Sequence, residues 1–194
     1  MRKTDTTGEY AISNVDARLA RSREELAMDH DAFAGFYQRS APALRSYLAR
    51  VSGNTALADD LAQESYLRFL CSPPLETGEV SHRRYLFRIA TNLLRDHWRK
   101  KKTTDLDEVP THALLAPDAS GEVEARAALG PALAQMRPRD RQLLWLAHAE
   151  GYSHREISEI TGLGTASIRL LLFRARRKMA NLLRQDLQVS GGSR

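Results

Sequence analysis

Apolar residues recur every three or four positions along most of the chain, which is the spacing of amphipathic α-helices. The first apolar stripe, from about residue 30, comprises Phe33, Phe36, Tyr37, Leu44, Tyr47, Leu48 and Val51. Gly53-Asn54 supplies the turn that ends this helix. A second helix follows, with an inner stripe of Ala58, Leu61, Ala62, Ser65 and Phe69. No segment alternates with period two for long enough to form a strand, so the pattern predicts an all-α protein.

A third and longer helix is predicted after the chain breaks at Pro73-Pro74 and Gly78, from about Ser81 to Lys101. Its inner stripe comprises Leu86, Ile89, Ala90, Leu93 and His97. Acidic residues and prolines then dominate residues 103–123. This composition indicates a flexible acidic linker.

The helical stretches on either side of the linker predict two small domains, residues 30–102 and 124–186. Pro138 fits the first turn of a helix in the second domain. Residues 1–29 are polar and mixed in charge, and we expect them to form a flexible extension. Residues 187–194 are expected to be a disordered tail.

The segment GYSHREISEITGLGTASIRLLLFRARRKM, residues 151–179, has the pattern of a helix-turn-helix. Ser153 and Glu156 form a capping box for the first helix, and Gly162 supplies the left-handed turn residue. Thr165 can cap the second helix, whose inward stripe is Ile168, Leu172, Ala175 and Met179. An ordinary helical hairpin with a solvated basic face would show the same spacing. The basic cluster at the end of the second helix favours DNA binding, with that helix in the major groove.

Three consecutive leucines stand in the middle of this second helix. Leu172 belongs to the core, Leu171 can pack on the preceding helix, and Leu170 is expected to be exposed. Apolar side chains can touch thymine methyl groups, but they cannot form the bidentate hydrogen bonds that read guanine. Strong sequence readout is therefore not predicted. The positions predicted to contact DNA are Thr165, Ser167, Arg169, Phe173, Arg174 and Arg177.

The chain has 194 residues, 42% of them apolar, and a formal net charge of +5. Its basic residues are clustered, which is the electrostatic footprint of phosphate binding. One cluster comprises Arg83, Arg84, Arg88, Arg95, Arg99, Lys100, Lys101 and Lys102, and the other comprises Arg169, Arg174, Arg176, Arg177 and Lys178. Cys71, the only cysteine, is expected to be a small buried residue. Because we find no signal-peptide pattern and no apolar run long enough to cross a bilayer, we expect a cytoplasmic protein.

The second helix, in the stretch ADDLAQESYLRFL, carries Asp59, Asp60, Gln63 and Glu64 on its outer side. A solvated acidic face is the commonest meaning of such a pattern, and a docking surface for a basic partner is the second. A metal site is the third. No further carboxylate or histidine cluster completes a coordination shell, so we predict neither a metal ion nor another cofactor.

The third helix, RRYLFRIATNLLRDHWRKKK, interleaves aromatic residues with cations. Tyr85, Phe87 and Trp98 alternate there with arginines and Asn92. This combination suits single-stranded DNA, because unpaired bases stack on aromatic rings. The rings could instead belong to the core, and for Tyr85 and Trp98 the sequence does not decide.

Four stretches, in order along the chain, resemble a bacterial sigma factor of the extracytoplasmic-function group, the small two-domain type. They are FAGFYQRSAPALRSYL, ADDLAQESYLRFL, RRYLFRIATNLLRDHWRK and GYSHREISEITGLGTASIRLLLFRARRKM, from about residue 30 to 184. The resemblance implies a promoter-specificity subunit that binds RNA polymerase core, recognises the minus-35 and minus-10 elements and opens the DNA. It implies no enzyme activity of its own. The two predicted domains would correspond to sigma regions 2 and 4.

The resemblance also implies partners and residue roles. Asp59, Asp60, Gln63 and Glu64 match the surface that docks on the β′ clamp helices of RNA polymerase core, whose β subunit is a further expected contact. The third helix matches the minus-10 reader, and its implied DNA-binding residues are Arg84, Tyr85, Arg88, Asn92, Arg95, Trp98, Arg99 and Lys100. A flipped base would be held near the segment before this helix. The second helix of the helix-turn-helix matches the minus-35 reader, and an anti-sigma factor is a further implied partner.

The chain departs from the family's pattern in the recognition helix. Serine and arginine are common in the family where Leu170 and Leu171 stand, so the minus-35 preference is not predictable. Two other functions are open on sequence alone. A stand-alone helix-turn-helix regulator explains the C-terminal half but gives the acidic second helix and the aromatic third helix no task. A metal-dependent nucleic-acid enzyme lacks the ligand cluster it would need.

Overall fold

The computed structural model describes residues 29–74, 76–104 and 123–191 as a series of seven α-helices. They are α1 (His30–Ser52), α2 (Thr55–Cys71), α3 (Glu79–Thr104), α4 (Val123–Ala134), α5 (Pro138–His148), α6 (His154–Thr161) and α7 (Thr165–Gly191). The described residues contain no strand, which confirms the predicted all-α class. The predicted N-terminal extension and most of the predicted linker lie outside the described residues.

Local polar residues fix the ends of the first two helices. The Asp29 side chain accepts a hydrogen bond from the backbone N of Ala32 at the start of α1. Gly53, with φ 74°, ends α1 in the left-handed conformation, as predicted. Asn54 then caps α2 by accepting a hydrogen bond from the backbone N of Leu57. This short turn packs α2 against α1.

The predicted capping box and glycine turn of the helix-turn-helix are both present. Ser153 Oγ accepts a hydrogen bond from the backbone N of Glu156, whose carboxylate accepts one from the backbone N of Ser153. The hydrogen bonds from Ser153 lower the pKa of Glu156. Gly162, with φ 71°, ends α6. The cap of α7 differs from the prediction by one residue: the carbonyl of Gly164 accepts the first intrahelical hydrogen bond, so Thr165 lies in the first turn.

Two helices extend beyond their predicted bounds. α3 begins at Glu79 and continues to Thr104, whereas the apolar spacing predicted residues 81–101. α7 continues to Gly191, past residue 186 where the second domain was predicted to end.

The apolar stripes of α1, α2 and α3 meet in one part of the core. The stripe predicted for α2 is buried throughout, and the Phe36 and Phe69 rings stack with centroids 5.2 Å apart. A second group of buried residues joins α5, α6 and α7: Leu143, Leu146, Ile157, Ile160, Ile168, Leu172 and Ala175. We refer to α1–α3 as the N-terminal unit and to α4–α7 as the C-terminal unit.

Several residues expected in the core are more exposed than predicted. Tyr37 is exposed, although its ring lies 4.7 Å from the ring of Tyr66, and Met179 is only partly buried. Cys71 is exposed, so its predicted burial is wrong. The helical repeat explains the error, because Cys71 follows Leu67 by four positions and shares its outward face.

The capping box generates a stability prediction. Replacing Ser153 by alanine is expected to lower the free energy of unfolding by about 1 kcal/mol at pH 7, as loss of a helix cap does. Because the pKa of Glu156 is lowered in the folded state, its contribution is complete above the unfolded value of about 4.3 and is lost as the pH falls through the folded value. The difference between wild type and Ser153→Ala should therefore shrink at acid pH. Urea unfolding followed by circular dichroism at several pH values measures it.

Ser46→Ala is the matched control, because Ser46 is an exposed serine in the interior of α1. Its effect should be small and independent of pH. A loss equal to that of Ser153→Ala would contradict the role given to the capping box.

Candidate nucleic-acid interface

The outer face of α2 is a narrow acidic stripe with an apolar side chain at its C-terminal end. Asp60 and Gln63 are exposed, and no ion pair to Asp60 is present among the described residues. Glu64 is partly covered and pairs with Arg68, with 2.6 Å between Oε1 and Nε. Leu67 follows on the same face and is 58% exposed. We call Asp60, Gln63, Glu64 and Leu67 the α2 stripe.

Asp59 lies at the edge of this face rather than on the stripe. Its carboxylate Oδ1 is 2.7 Å from Arg45 Nη2 of α1, so most of its charge is balanced within the N-terminal unit. Within the described ranges, no three histidine, cysteine or acidic side chains lie together as a possible metal site. The acidic side chains of α2 therefore form a surface and not a coordination shell.

The cations of α3 fall into two groups. Arg84 forms ion pairs with two glutamates. Its Nη2 lies 2.9 Å from Glu76 Oε2, and its Nε lies 3.3 Å from Glu159 Oε2 of α6. Arg95 donates to the Asn92 side chain and to the backbone carbonyl of Thr161, 3.3 Å away. Arg84 and Arg95, two of the predicted minus-10 residues, thus contact the C-terminal unit, and Asn92 contacts Arg95.

Among the remaining predicted minus-10 residues, Arg88, Arg99 and Lys100 are exposed, and Arg88 and Tyr85 line the groove toward α6 together with Arg84. Arg88 is exposed, and its guanidinium carbon lies 5.1 Å from the centre of the Tyr85 ring. Arg99 and Lys100 are exposed near the end of the helix. Tyr85 and Trp98, left open between core and surface, are each partly buried with one side against the core.

A concave cavity of about 390 Å³ opens between the start of α1, the end of α2 and the start of α3. Its walls include the Phe36, Phe69 and His82 rings, and the Arg39–Glu79 ion pair lies at its edge, with 2.9 Å between Nε and Oε1. Pro73, Pro74, Thr77 and Gly78 form another wall, near which the family resemblance implies a base-binding site.

The predicted minus-35 residues of α7 are all exposed: Thr165, Ser167, Arg169, Phe173, Arg174 and Arg177. Leu170 is exposed as predicted, and Leu171 packs partly against the core as predicted. The structure thus brings these six residues to one outer surface, away from the buried Ile168 and Leu172.

Beside a continuous apolar core, the two units meet through polar contacts that sequence reasoning did not predict. The Glu150 side chain is only 3% exposed, and its Oε2 lies 2.5 Å from Nη2 of Arg83 on α3. Its other carboxylate oxygen accepts a hydrogen bond from Trp145 Nε1. The Tyr152 ring packs against the Phe87 ring of α3, with centroids 5.7 Å apart.

A buried hydrogen-bond network crosses the same interface. Gln142 Nε2 of α5 donates to Tyr47 Oη of α1 at 2.7 Å, and Tyr47 Oη is 2.7 Å from Thr91 Oγ1 of α3. Burial raises the pKa of Tyr47 to about 12, so the phenol is neutral at physiological pH. No signal in the local sequence could pair these three residues, because they are separated by 44 to 95 positions.

Some buried polar atoms at the interface have no hydrogen-bond partner among the described residues. Among the described residues, three buried side-chain atoms lack a hydrogen-bond partner: Arg83 Nε, Arg141 Nε and Tyr152 Oη. Arg141 lies beside Gly53 at the end of α1, so all three residues lie where the units meet. Each such atom costs about 1–3 kcal/mol of desolvation, which reduces the net stability of the contact.

Comparison with known proteins gives matches over both units. The family model described as "Sigma-70 region 2" matches residues 36–104, and the one described as "Sigma-70, region 4" matches residues 126–179. The RNA polymerase sigma factor CarQ of Myxococcus xanthus is 33% identical over 165 residues, which are 82% of this chain and 94% of CarQ. The ECF RNA polymerase sigma factor EcfG of Rhodopseudomonas palustris is 32% identical over 154 residues, covering 76% of this chain and 82% of EcfG.

Solved structures show the same fold. The sigma factor RpoE of Bartonella quintana, solved in complex with the anti-sigma factor NepR, has a TM-score of 0.68 at 23% identity. The match covers 78% of this chain and 96% of RpoE. CnrH, solved in complex with the cytosolic domain of CnrY, has a TM-score of 0.58 at 24% identity over 84% of this chain and 96% of CnrH. No described helix is long and apolar enough to cross a membrane.

The Arg83–Glu150 pair generates a prediction about the interface. Glu150→Gln removes a nearly buried charge and leaves Arg83 without its counterion, so the free energy of unfolding should fall by about 1–3 kcal/mol. Urea unfolding followed by fluorescence reports it directly, since Trp145 donates to Glu150. Glu76→Gln is the matched control, because the Glu76 side chain is 71% exposed in its pair with Arg84. Its effect should stay below about 0.5 kcal/mol. Equal effects of the two substitutions would contradict the importance assigned to Glu150.

Proposed function

This chain belongs to the extracytoplasmic-function group of sigma factors, and from that premise we propose which of its surfaces bind RNA polymerase core and which bind each promoter element. As a promoter-specificity subunit, the protein binds core polymerase, recognises the minus-35 and minus-10 elements and initiates transcription. The observation that carries the assignment of surfaces is the separation of an acidic, partly apolar face on α2 from basic faces on α3 and α7. Its site of action would be the cytoplasm, where bacterial RNA polymerase works.

The α2 stripe is the proposed docking surface for the β′ clamp helices of core polymerase. Asp60 and Glu64 offer charge to a basic partner, and Leu67 offers an exposed apolar side chain beside them. Interfaces derive most of their affinity from a few buried anchors surrounded by polar contacts. Leu67 is therefore the anchor that we add to the four polar residues of the sequence prediction, while Asp59 contributes less because Arg45 balances its charge.

The docking proposal predicts that the protein no longer binds core polymerase when the charge of the α2 stripe is reversed. Asp60→Lys with Glu64→Lys should abolish detectable binding in a titration of labelled protein with core polymerase, and Leu67→Ala should weaken it at least tenfold. Asp31→Lys is the control, because Asp31 is an exposed acid on α1 outside the stripe. Circular dichroism should show the same helical content in all variants. Unchanged affinity of the double variant would mean that the acidic face is merely solvated.

The cavity before α3 and the accessible side of α3 are the proposed minus-10 site. The cavity offers the partly exposed His82 ring to an extruded base, with the buried Phe36 and Phe69 rings packed against it. Arg88, Arg99 and Lys100 are exposed along α3, where they can hold phosphates without reading sequence. Arg84, which pairs with Glu159, can join them only when α6 has moved away from α3.

Separation of the two units is thus part of the proposed mechanism. The minus-35 and minus-10 elements lie roughly 25 base pairs apart, which is about 85 Å of duplex at 3.4 Å per base pair. The N-terminal and C-terminal units are in direct contact here, so one molecule cannot reach both elements in this arrangement. Core polymerase would hold the units apart at the promoter spacing, and two weak DNA contacts would then combine through effective concentration.

A distance measurement tests this separation. In a Cys71→Ser background, spin labels at Glu76→Cys and Arg155→Cys would lie on opposite walls of one groove between the units. Free protein should give a single short distance, and saturating core polymerase should shift it to a much longer one. Labels at Arg155→Cys and Asn181→Cys, both within the C-terminal unit, should keep their distance. A Glu76–Arg155 distance that stays short in the core complex would refute the proposed opening.

Run-off transcription with core polymerase over a genomic library tests the function as a whole. Promoter-dependent transcripts are expected only when both components are present. Tight binding of the purified chain to one duplex, without any association with core polymerase, would instead identify a stand-alone regulator. Two structural neighbours were solved with NepR or the CnrY cytosolic domain bound, so we also propose an anti-sigma protein as a partner of this chain.

A further inference from the structure

The outermost face of α7 is apolar in its first turns and basic afterwards. Ile168, Leu172 and Ala175 are buried, which fixes the direction of the core. At 100° per residue, the side opposite this core carries Ala166, Leu170 and Phe173, and then Arg177 one turn later. Leu170 is 50% exposed and Phe173 is 60% exposed. We call Ala166, Leu170 and Phe173 the reading stripe.

The reading stripe has no covering element among the described residues, and cations surround it. Arg169 lies on one flank, while Arg174 and Arg177 continue the same surface toward the C-terminal end of the helix. All three guanidinium groups are exposed, and none of them has an acidic partner in the described part of the chain. An apolar strip surrounded by unbalanced positive charge matches a surface that is itself apolar at its centre and anionic at its edges.

The major groove of DNA is such a surface wherever thymines line it. The 5-methyl group of thymine is the apolar feature that a base pair presents there, and the phosphates form the anionic edges. Alanine and phenylalanine are side chains that contact this methyl group, and leucine has the same chemistry. Leucine at position 170 can neither donate nor accept a hydrogen bond, so it cannot read guanine or adenine.

Resting on the function proposed above, we propose that Leu170, together with Ala166 and Phe173, recognises the upstream promoter element through thymine methyl groups in the major groove. Arg174 and Arg177 bind the flanking phosphates and set affinity without specificity. Leu170 is then a specificity-determining residue, and the element it contacts contains a thymine whose methyl group is required. A protein partner on the same stripe is the competing occupant, and the test below separates the two.

The first experiment removes the methyl group from the DNA. Promoters are selected from a library randomised in the upstream element, using holoenzyme formed with the full-length chain. Each thymine of the selected element is then replaced by deoxyuridine, which keeps every hydrogen-bonding group. We expect a threefold to fivefold loss of holoenzyme affinity at one or two positions, which corresponds to about 0.8 kcal/mol for a buried group of methylene size.

The second experiment removes the side chain. With Leu170→Ala, replacing the sensitive thymine by deoxyuridine should no longer change affinity, because the methyl group has lost its contact. Arg177→Ala should weaken binding to both DNAs equally and reduce the salt dependence. Leu129→Ala is the matched control, because Leu129 is an exposed leucine on α4, outside the recognition helix. It should retain the full sensitivity to deoxyuridine.

A third variant tests for a change in specificity rather than a loss. Leu170→Arg places a bidentate donor on the reading stripe, so a repeated selection should replace the sensitive thymine by guanine on one strand. Such a shift cannot result from a misfolded protein.

The outcomes separate this inference from the function on which it rests. If holoenzyme selects promoters and transcribes from them but is indifferent to deoxyuridine at every upstream position, methyl readout is wrong while the function stands. If the sensitivity survives in Leu170→Ala and in Phe173→Ala, the reading stripe is not the reader. If Leu170→Ala lowers assembly with core polymerase in the absence of DNA, the stripe binds protein. If no promoter is selected at all, both proposals fail.

Discussion

Glu150 is almost completely buried in the C-terminal unit, and the cation that balances its charge, Arg83, belongs to the N-terminal unit. Around this pair the contact between the units contains hydrogen bonds, polar atoms without a partner and the Phe87–Tyr152 ring contact. Leucine, isoleucine and phenylalanine side chains pack against one another within each unit, and the buried apolar residues of both units form one continuous core. Water can replace hydrogen bonds and solvate charges, but it cannot replace apolar packing. The polar contacts around Glu150 are therefore the part of the contact between the units that water can replace.

The contact between the two units bears directly on the function. A promoter presents two elements on a long duplex, and a chain that reads both must hold its readers far apart. The described arrangement does the opposite, because α6 lies against the face of α3 that carries Arg84, Asn92 and Arg95. Glu159 of α6 pairs with Arg84, and the backbone carbonyl of Thr161 accepts a hydrogen bond from Arg95.

The sequence was sufficient to predict the features that depend on local spacing. The helices, the capping box at Ser153, the left-handed glycines and the exposure of Leu170 all follow from positions close together in the chain. The family resemblance, in turn, assigned the function from four short stretches. Leu67 lies within one of these stretches and on the same face of α2 as Asp60 and Glu64, but it was missed because only polar side chains were considered for the docking surface.

Contacts between distant positions could not be predicted. The Tyr47, Thr91 and Gln142 side chains meet only because α1, α3 and α5 pack together, and nothing in the periodicity of one helix marks its partner. The same applies to Arg83. The sequence shows it only as one cation of a basic cluster, and its pairing with Glu150 depends on how the two units pack together. Cys71 was misplaced for the opposite reason, since a general preference of cysteine for the interior outweighed the local register of α2.

In the recognition helix, the residues that stabilise the fold are different from the residues proposed to recognise DNA. Ile168, Leu172 and Ala175 are buried and anchor α7, whereas the residues of the reading stripe point to the opposite side. Because Ala166, Leu170 and Phe173 are not buried in the core, exchanging them costs the fold little. After gene duplication, substitutions at these surface positions can then give one copy new target genes, without first requiring a more stable fold.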